Sequence, residues 1–346
     1  PRDDGRWRPE SAKGNTPPDG VPPLIRFRNP DDGDVTWDDL VKGPITISNR
    51  ELDDLIIMRA DGVPTYNFGV VVDDLDMAMT HIIRGDDHVN NTPRQINIFR
   101  ALGAALPAFG HVPMILGDDG ERLSKRHGAV SVMQYEEEGF LPKALLNYLA
   151  RLGWSHGDEE LFSMEKFVEW FDLTNISRSP ARFDGEKLTW LNQQYLKETS
   201  SAELVKLVAP RLRVRQCPVD DGDVKLNAII ELLKPRATTL ENLADSAVYF
   251  YRDVEPHESL VNEHLKPAIL PVLSELAEKL QAIAWNKEAI NGALKETLAA
   301  HQLKLGQIGI PLRVAVSGGT QTPAIDVTLE LIGRDNVIDR IRRHLK

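Results

Sequence analysis

The sequence predicts an α/β domain with a parallel sheet, followed by a larger part that is mainly helical. Two observations predict this fold class. A strand pattern at 81–84, a helix pattern from Thr92-Pro93 and a strand pattern at 111–116 follow one another, which is the order of a βαβ unit. From about Val130 onward, apolar residues recur at helical spacing. A chain of 346 residues is long enough for two or three domains.

The segment before the βαβ unit predicts loops and short strands. Residues 1–34 are rich in Pro, Gly and Asp, which is typical of loop with little regular structure. Residues 35–50 predict short strands joined by a tight turn at Lys42-Gly43-Pro44. Three apolar runs then predict further strands, with a turn at Asp61-Gly62 after the first; they are residues 55–58, 68–72 and 81–84.

The βαβ unit places polar residues where ligands bind. Thr92 is a good N-cap and Pro93 suits the first helical position, so we expect a helix to begin there and to stop near Gly103. Ligands of parallel sheets lie at the carboxyl ends of the strands. The run Arg84 to Asp87 lies at one such end, and Gly117 to Gly128 follows the next strand.

The second half of the sequence predicts helices. Leucines between 141 and 152 recur at helical spacing, and Gly153 closes that segment. Further helical patterns cover residues 164–171, 184–196, 226–233 and 270–283.

The net charge of −11 is unevenly distributed. Residues 1–199 hold 22 basic and 33 acidic side chains, whereas residues 200–346 hold 19 of each. The neutral second part can therefore still present basic faces to a nucleic acid. Arginines cluster at 211–215 and at 334–343, although an ordinary solvated face would explain either cluster equally well.

The single cysteine, Cys217, excludes a disulfide framework within the chain and a cysteine zinc site, and it fits a reducing cytoplasm. No apolar run approaches the roughly 20 residues that a membrane helix needs. The first ten residues lack the apolar stretch of a signal peptide.

A basic loop between Gly120 and Gly128 carries the strongest chemical signal, and it reads Arg122-Leu123-Ser124-Lys125-Arg126-His127. Cations on a mobile loop can close on a polyphosphate and stabilise the charge that develops as pyrophosphate leaves. A basic surface loop would have the same composition, so composition alone leaves both interpretations open.

A second group of residues surrounds Tyr66 and Arg84, within the stretches 61–74 and 80–88. The planar guanidinium of an arginine can hold a carboxylate through two hydrogen bonds. Two residues eighteen positions apart could also be unrelated surface residues. The nearby acids Asp73, Asp74 and Asp76 could suggest a Mg²⁺ cluster, but a polar turn with solvated acids is the preferred interpretation.

The motifs taken together resemble one family. The basic loop resembles the KMSKS loop of class I aminoacyl-tRNA synthetases, in the LSKR form of the glutamyl branch, and residues 128–132 continue as bacterial glutamyl enzymes do. The stretch around Tyr66 and Arg84 resembles that family's amino-acid pocket. Further resemblance covers residues 147–158 and 187–192 in the stem-contact domain and 308–318 in the last anticodon-binding subdomain.

This resemblance implies an α/β, partial Rossmann-type catalytic domain followed by mainly α-helical stem-contact and anticodon-binding domains. The implied boundaries are 1–34 for the end of a connective insertion, 35–129 for the carboxyl-terminal part of the catalytic domain, 130–199 for the stem-contact domain and 200–346 for the anticodon-binding domain.

The resemblance also implies roles for individual residues. Lys125 matches the second lysine of the KMSKS loop and is the predicted catalytic residue. The ATP-binding residues are predicted to be Arg122, Leu123, Ser124, Lys125 and Arg126. Tyr66 and Arg84 are predicted to bind glutamate, while Asp87 and His88 are candidates for a contact to tRNA or for the pocket wall.

The implied reaction is ATP-dependent attachment of glutamate to tRNA(Glu) through a glutamyl-adenylate, with Mg²⁺ bound to ATP. Some relatives carry zinc ligands near the start of this region, but Trp7 and Pro9 stand where two of them would be, so we expect no zinc. The resemblance further implies a monomer in the cytoplasm. Whether tRNA(Gln) is also charged stays open.

One expected motif is absent. Class I synthetases carry a HIGH motif near the N-terminus, and none of the nine histidines lies in one. We therefore expect the chain as given to be incomplete and, by itself, to form no glutamyl-adenylate.

Four alternatives to the glutamyl enzyme remain. Glutaminyl-tRNA synthetases have β-barrels in their distal part, and glutamyl-queuosine tRNA synthetases lack an anticodon domain, so the helical residues 200–346 disfavour both. A non-catalytic tRNA-binding module has no reason to keep the LSKR loop and the pocket residues. A structural α/β protein without a ligand explains none of the motifs.

Overall fold

The computed structural model describes residues 5–16, 19–117, 119–123, 131–220 and 222–345. The chain divides into two compact units. The first comprises Pro1–Ala129 and Leu146–Asp184, and the second comprises Val130–Leu145 and Gly185–Lys346. The division into four segments that the sequence suggests stays a prediction.

The described residues contain short strands and many helices. The strands are β1 (Ile25–Arg26), β2 (Asp34–Asp39), β3 (Gly43–Ser48), β4 (Ile56–Met58), β5 (His81–Gly85), β6 (Ala108–Val112), β7 (Ile115–Leu116) and β8 (Ala181–Arg182). The helices are α1 (Tyr66–Asp76), α2 (Thr92–Ala101), α3 (Val132–Glu137), α4 (Pro142–Gly153), α5 (Met164–Trp170), α6 (Gly185–Glu198), α7 (Ser201–Val214), α8 (Val224–Leu233), α9 (Leu240–Ala247), α10 (Glu258–His264), α11 (Leu270–Ala282), α12 (Lys287–Ala300), α13 (Leu305–Ser317), α14 (Ile325–Ile332) and α15 (Arg334–Arg343).

Strands β2 and β3 form the predicted hairpin. They pair antiparallel from Asp34 opposite Ser48 to Asp39 opposite Gly43. Gly43 has a φ of 85°, a left-handed conformation that favours glycine in the tight turn. Every second residue of β2 is buried, so Asp39 points to the same side as the core residues Val35 and Trp37.

The βαβ unit is present as predicted. Strands β5 and β6 pair in parallel, with Arg84 opposite His111, and α2 connects them. The Leu40 N–H donates to the Phe109 carbonyl at 2.8 Å, which places the end of β2 beside β6. The core of this unit brings together apolar side chains of the strands and helices; it consists of Val35, Trp37, Leu52, Val71, Ile96, Ile98, Phe99 and Phe109.

The prediction of a strand at 68–72 was wrong, because these residues lie in α1. Phe68, Val71 and Leu75 are spaced by three and four positions and all pack on the core. This helical spacing outweighs the strand preference of the valines between them.

Two further boundaries differ from the predictions. Asn91, not Thr92, is the N-cap of α2, and no side chain caps this helix, so the Thr92 hydroxyl is available for other contacts. The predicted strand 111–116 is split into β6 and β7, because Pro113 offers no N–H for a sheet ladder.

The predicted helices are confirmed in α4, α5, α6, α8 and α11. The second unit is built from helices, with α7 packing on α8 and α9 and with α11 packing on α12 and α15. None of the described helices combines the length and the apolar character that a membrane crossing requires.

A buried arginine joins several segments of the second unit. Arg340 of α15 donates hydrogen bonds to the carbonyls of Tyr249, Arg252 and Val316, and to the carboxylate of Asp253. Its side chain is only 5% exposed.

Candidate active site

Arg84 lies near the carboxyl end of β5, and three neutral side chains hold its guanidinium. Its Nη2 donates to Thr92 Oγ1 and to Gln95 Oε1, both at 2.8 Å, and its Nε donates to His111 Nε2 at 3.3 Å. Thr92 and Gln95 belong to α2, whereas His111 belongs to β6. The βαβ unit therefore assembles this site by bringing the helix start and the neighbouring strand to Arg84.

His111 is fully buried and is itself held by Asp39. Its Nδ1 is hydrogen-bonded to Asp39 Oδ2, while Asp39 Oδ1 accepts the backbone N–H of Val41, Lys42 and His111 at 3.0–3.1 Å. Burial lowers the pKa of His111 and outweighs the hydrogen bond to Asp39, so the imidazole is neutral near pH 7. For Asp39, burial alone would raise the pKa, but the hydrogen bonds from Lys42, His111 and Val41 lower it overall.

The electrostatics around Arg84 suit an anion. Burial lowers the pKa of Arg84, and the nearby Tyr66 hydroxyl and Asp74 carboxylate oppose this effect. An arginine nevertheless stays charged, because its ordinary pKa lies far above neutral pH. Burial also raises the pKa of Asp74, against the attraction of Arg84. No carboxylate is hydrogen-bonded to Arg84 within the described part of the chain.

Tyr66 and His88 form one wall beside this strand end. Tyr66 begins α1 and is 54% exposed, and its hydroxyl lies 3.4 Å from His88 Nδ1. The two rings are 5.9 Å apart and tilted by 45°. Asn91 Nδ2 also contacts His88 Nδ1, at 3.1 Å. The structure thus brings together three residues that the sequence singled out, namely Tyr66, Arg84 and His88.

Asp87 links this wall to the basic loop. Arg122 Nη2 lies 3.2 Å from Asp87 Oδ2. Gly85 permits this arrangement, because a Cβ at that position would lie 2.6 Å from Asp87 Oδ1. The neighbouring Asp86 pairs with Lys42 Nζ at 2.9 Å.

Only the start of the basic loop belongs to the described residues. Arg122 bridges to Leu116, and the Leu123 N–H donates to the Ile115 carbonyl at 2.9 Å, so residues 122–123 run antiparallel to β7. The other predicted ATP-binding residues, Ser124, Lys125 and Arg126, lie outside the described residues.

No cluster of three or more metal-ligating side chains occurs in the parts of the chain that the structure describes. Asp73, Asp74 and Asp76 all lie on α1.

Sequence reasoning missed the residues that support Arg84, which are Asp39, Thr92, Gln95 and His111. Two signals could have found some of them. Asp39 is an acid at a position of β2 that faces the core, and His111 is the residue opposite Arg84 once β5 and β6 are paired in parallel.

Comparison with known proteins decides the family. The profile for tRNA synthetases class I (E and Q), catalytic domain, matches residues 6–190, and that for an anticodon-binding domain matches residues 203–345. A glutamate–tRNA ligase of Thiobacillus denitrificans is 60% identical over the whole chain, which covers 73% of that relative. The chain belongs to the glutamate–tRNA ligase family.

Further similarities agree with this family. A glutamate–tRNA ligase of Nitrosomonas europaea is 58% identical over 346 residues, and the chain covers 74% of it. A crystal structure of a glutamate tRNA ligase from Elizabethkingia meningosepticum, in complex with its amino acid, matches 93% of this chain and 68% of that chain. Its TM-score is 0.84 and its sequence identity 30%. The predicted class I catalytic domain with a helical anticodon-binding domain is thereby confirmed.

Proposed function

We propose that the protein attaches glutamate to tRNA(Glu) with ATP, and that Arg84 binds the side-chain carboxylate of the glutamate. The observation that carries this proposal is a half-buried guanidinium at a strand end of a glutamate–tRNA ligase fold, to which no carboxylate of the described residues is hydrogen-bonded. A partly desolvated cation in that situation gains a charge-assisted hydrogen bond from an anionic ligand.

The geometry defines how a carboxylate would meet Arg84. The three hydrogen bonds to Thr92, Gln95 and His111 use the single N–H of Nε and both N–H groups of Nη2. None of these three bonds involves Nη1, and the Tyr66 hydroxyl is a further hydrogen-bonding neighbour of the guanidinium. The sequence predicted a carboxylate held through two hydrogen bonds; we instead propose that the carboxylate binds at Nη1.

Tyr66 and His88 are proposed to complete the amino-acid pocket. The exposed Tyr66 ring offers an apolar face for the methylene groups of glutamate, and its hydroxyl lies close to His88. Asp87 is proposed to act by holding the loop rather than by touching the amino acid, because its carboxylate pairs with Arg122.

The basic loop is proposed to bind ATP, which enters as its Mg²⁺ complex. Lys125 would stabilise the charge on the departing pyrophosphate, with Ser124, Arg126, Leu123 and Arg122 lining the nucleotide. The pair between Arg122 and Asp87 is exposed, so it is weak enough for Arg122 to exchange Asp87 for a phosphate.

The reaction then has two steps. The α-carboxylate of glutamate attacks the α-phosphorus of ATP, pyrophosphate leaves, and glutamyl-adenylate forms. A hydroxyl of the terminal ribose of tRNA next attacks the acyl carbon, and AMP leaves. We propose that the helical residues 203–345 read the anticodon, and that the protein works as a monomer in the cytoplasm.

The test combines two binding measurements. Equilibrium dialysis with L-glutamate, L-glutamine and L-aspartate should show preference for glutamate, because an amide forfeits the charge pairing with Arg84 and aspartate is one methylene shorter. A gel shift at two salt concentrations should show preference for tRNA(Glu) over tRNA(Asp), whereas phosphate contacts alone bind both and fade steeply with salt.

The two measurements also separate the alternatives. Equal binding of glutamate and glutamine would contradict the role of Arg84. Selective tRNA binding without any glutamate binding would favour a non-catalytic tRNA-binding module.

A further inference from the structure

The contacts of Arg84 fix the protonation of His111. An arginine only donates hydrogen bonds, so His111 Nε2, at 3.3 Å from Arg84 Nε, must accept and carry no proton. The single proton of the neutral imidazole is then on Nδ1, where the Asp39 carboxylate accepts it. Only one of the two tautomers satisfies both neighbours.

The contacts of Arg84 Nη2 fix the orientation of two further side chains, Gln95 and Thr92. Gln95 must present its oxygen to Nη2, and its amide nitrogen donates to Asn67 Oδ1 at 2.9 Å. The Thr92 hydroxyl accepts from Arg84 Nη2 at 2.8 Å, and its single proton faces His111 Nε2 at 3.0 Å and the His88 carbonyl at 3.4 Å.

These supporting groups are removed from water. Thr92 and His111 have no exposed surface, Gln95 is 1% exposed and Asp39 is 4% exposed. A misplaced proton would set two donors against each other with no water to separate them, which is costly in a buried site. The network runs from β2 through β6, α2 and β5 to α1, so it joins all the elements around the strand end.

We propose that Asp39 and His111 are positioning residues for glutamate binding: Asp39 fixes the Nδ1–H tautomer of His111, and the bare Nε2 then holds the Arg84 guanidinium with Nη1 directed to the substrate. This inference rests on the proposed function of Arg84. Asp39 then affects glutamate binding through His111 and Arg84, without touching the substrate.

The decisive variant is Asp39→Asn, which keeps the shape and changes the proton pattern. The asparagine oxygen can still accept the three backbone N–H groups, but its amide nitrogen then donates towards His111 Nδ1. The proton of the imidazole moves to Nε2 and opposes Arg84 Nε. We expect the affinity for L-glutamate, measured by isothermal titration, to fall at least about tenfold.

The matched control is Asp38→Asn, which removes the same charge from the neighbouring, exposed position of the same strand. Its affinity for L-glutamate should equal that of the unchanged protein. A second pair of variants isolates the hydroxyl contact: Thr92→Val should weaken glutamate binding, whereas Thr92→Ser should retain it.

A spectroscopic measurement distinguishes positioning from a merely structural role. Imidazole ¹⁵N NMR reports which ring nitrogen carries the proton. His111 should be protonated on Nδ1 in the unchanged protein and in Asp38→Asn, and on Nε2 in Asp39→Asn.

The outcomes separate this inference from the proposed function. If Arg84→Gln abolishes glutamate binding but Asp39→Asn binds like the unchanged protein, the inference is overturned and the role of Arg84 stands. If Arg84→Gln binds glutamate normally, both are overturned. An Nε2–H tautomer in the unchanged protein would overturn the inference regardless of affinity.

Discussion

Arg84 is half-buried and Arg340 is buried; hydrogen bonds hold both guanidinium groups, yet the surroundings of the two arginines differ in kind. Arg340 donates to three backbone carbonyls and to the carboxylate of Asp253, so its charge is compensated and it ties three segments of the second unit together. Among the described residues, the groups hydrogen-bonded to Arg84 are hydroxyls, an amide oxygen and an imidazole nitrogen, which are all neutral.

The difference distinguishes an arginine that stabilises a fold from one that awaits a ligand. A compensated guanidinium has little to gain from an additional anion, whereas an oriented but uncompensated one gains a charge-assisted hydrogen bond. The residues that orient Arg84 without neutralising it are therefore as informative as Arg84 itself.

The largest effect is expected for Arg84→Gln. Truncating one partner of a buried, hydrogen-bonded charge pair costs about 2–5 kcal/mol; for the half-buried Arg84 we take the low end, so glutamate affinity should fall about thirtyfold in isothermal titration. Arg94→Gln, which removes an arginine from α2 that pairs with Asp53, is the control and should bind normally. Equal losses of glutamate affinity in the Arg84 and Arg94 variants would contradict a specific role of Arg84 in glutamate binding.

Arg340→Met tests whether Arg340 stabilises the second unit. It leaves the carbonyls of Tyr249, Arg252 and Val316 without this donor, so the free energy of unfolding should fall by about 3 kcal/mol in urea denaturation. Glutamate affinity of the folded protein should not change. Arg342→Met, at an exposed position of the same helix, should cost less than about 0.5 kcal/mol. An Arg340→Met protein with an unchanged free energy of unfolding would refute the structural role of Arg340.

A smaller effect is expected from Asp253, whose contribution to the free energy of unfolding should depend on pH. The hydrogen bond from Arg343 outweighs burial and, with a second bond from Arg340, holds the pKa of Asp253 below its usual value. The stabilisation is therefore complete above the unfolded pKa of about 4 and is lost as the pH falls through the lower folded value. The stability difference between the unchanged protein and Asp253→Asn should be constant from pH 5 to 8 and should shrink below about pH 4. A difference that grew on acidification would contradict this assignment.

The smallest effect is expected at the exposed pair of Arg122 and Asp87. Asp87→Asn should change the free energy of unfolding by less than about 1 kcal/mol, because solvent screens the pair. If the pair only holds the loop until ATP binds, the variant should bind ATP at least as tightly as the unchanged protein in a fluorescence titration. A marked loss of ATP affinity would instead place Asp87 in the nucleotide site.

The sequence predicted the βαβ unit and most helices because their signals are local. Periodic leucines in α4 and the Thr92-Pro93 start of α2 need no knowledge of distant residues. The run at 68–72 was mistaken for a strand, since valines favour strands and only the contacts of Phe68, Val71 and Leu75 with the core reveal the helix.

The supporting residues of the site could not be predicted in the same way. Tyr66 and Arg84 stand in motifs that resemble the family's pocket, but Asp39 and His111 are 72 positions apart and meet only because β2 lies beside β6. A polar residue facing the core is visible in sequence only after the strand register is known. The contact between the Thr92 hydroxyl and Arg84 likewise depends on Asn91, not Thr92, being the N-cap.

The most direct test of the central claim is guanidinium ¹⁵N NMR of the arginine-labelled protein during titration with L-glutamate. We expect the Nη resonances of Arg84 to shift as glutamate saturates the protein while those of Arg340 stay in place, and L-glutamine to produce no comparable shift. An unchanged Arg84 signal at saturating glutamate would contradict glutamate binding by Arg84.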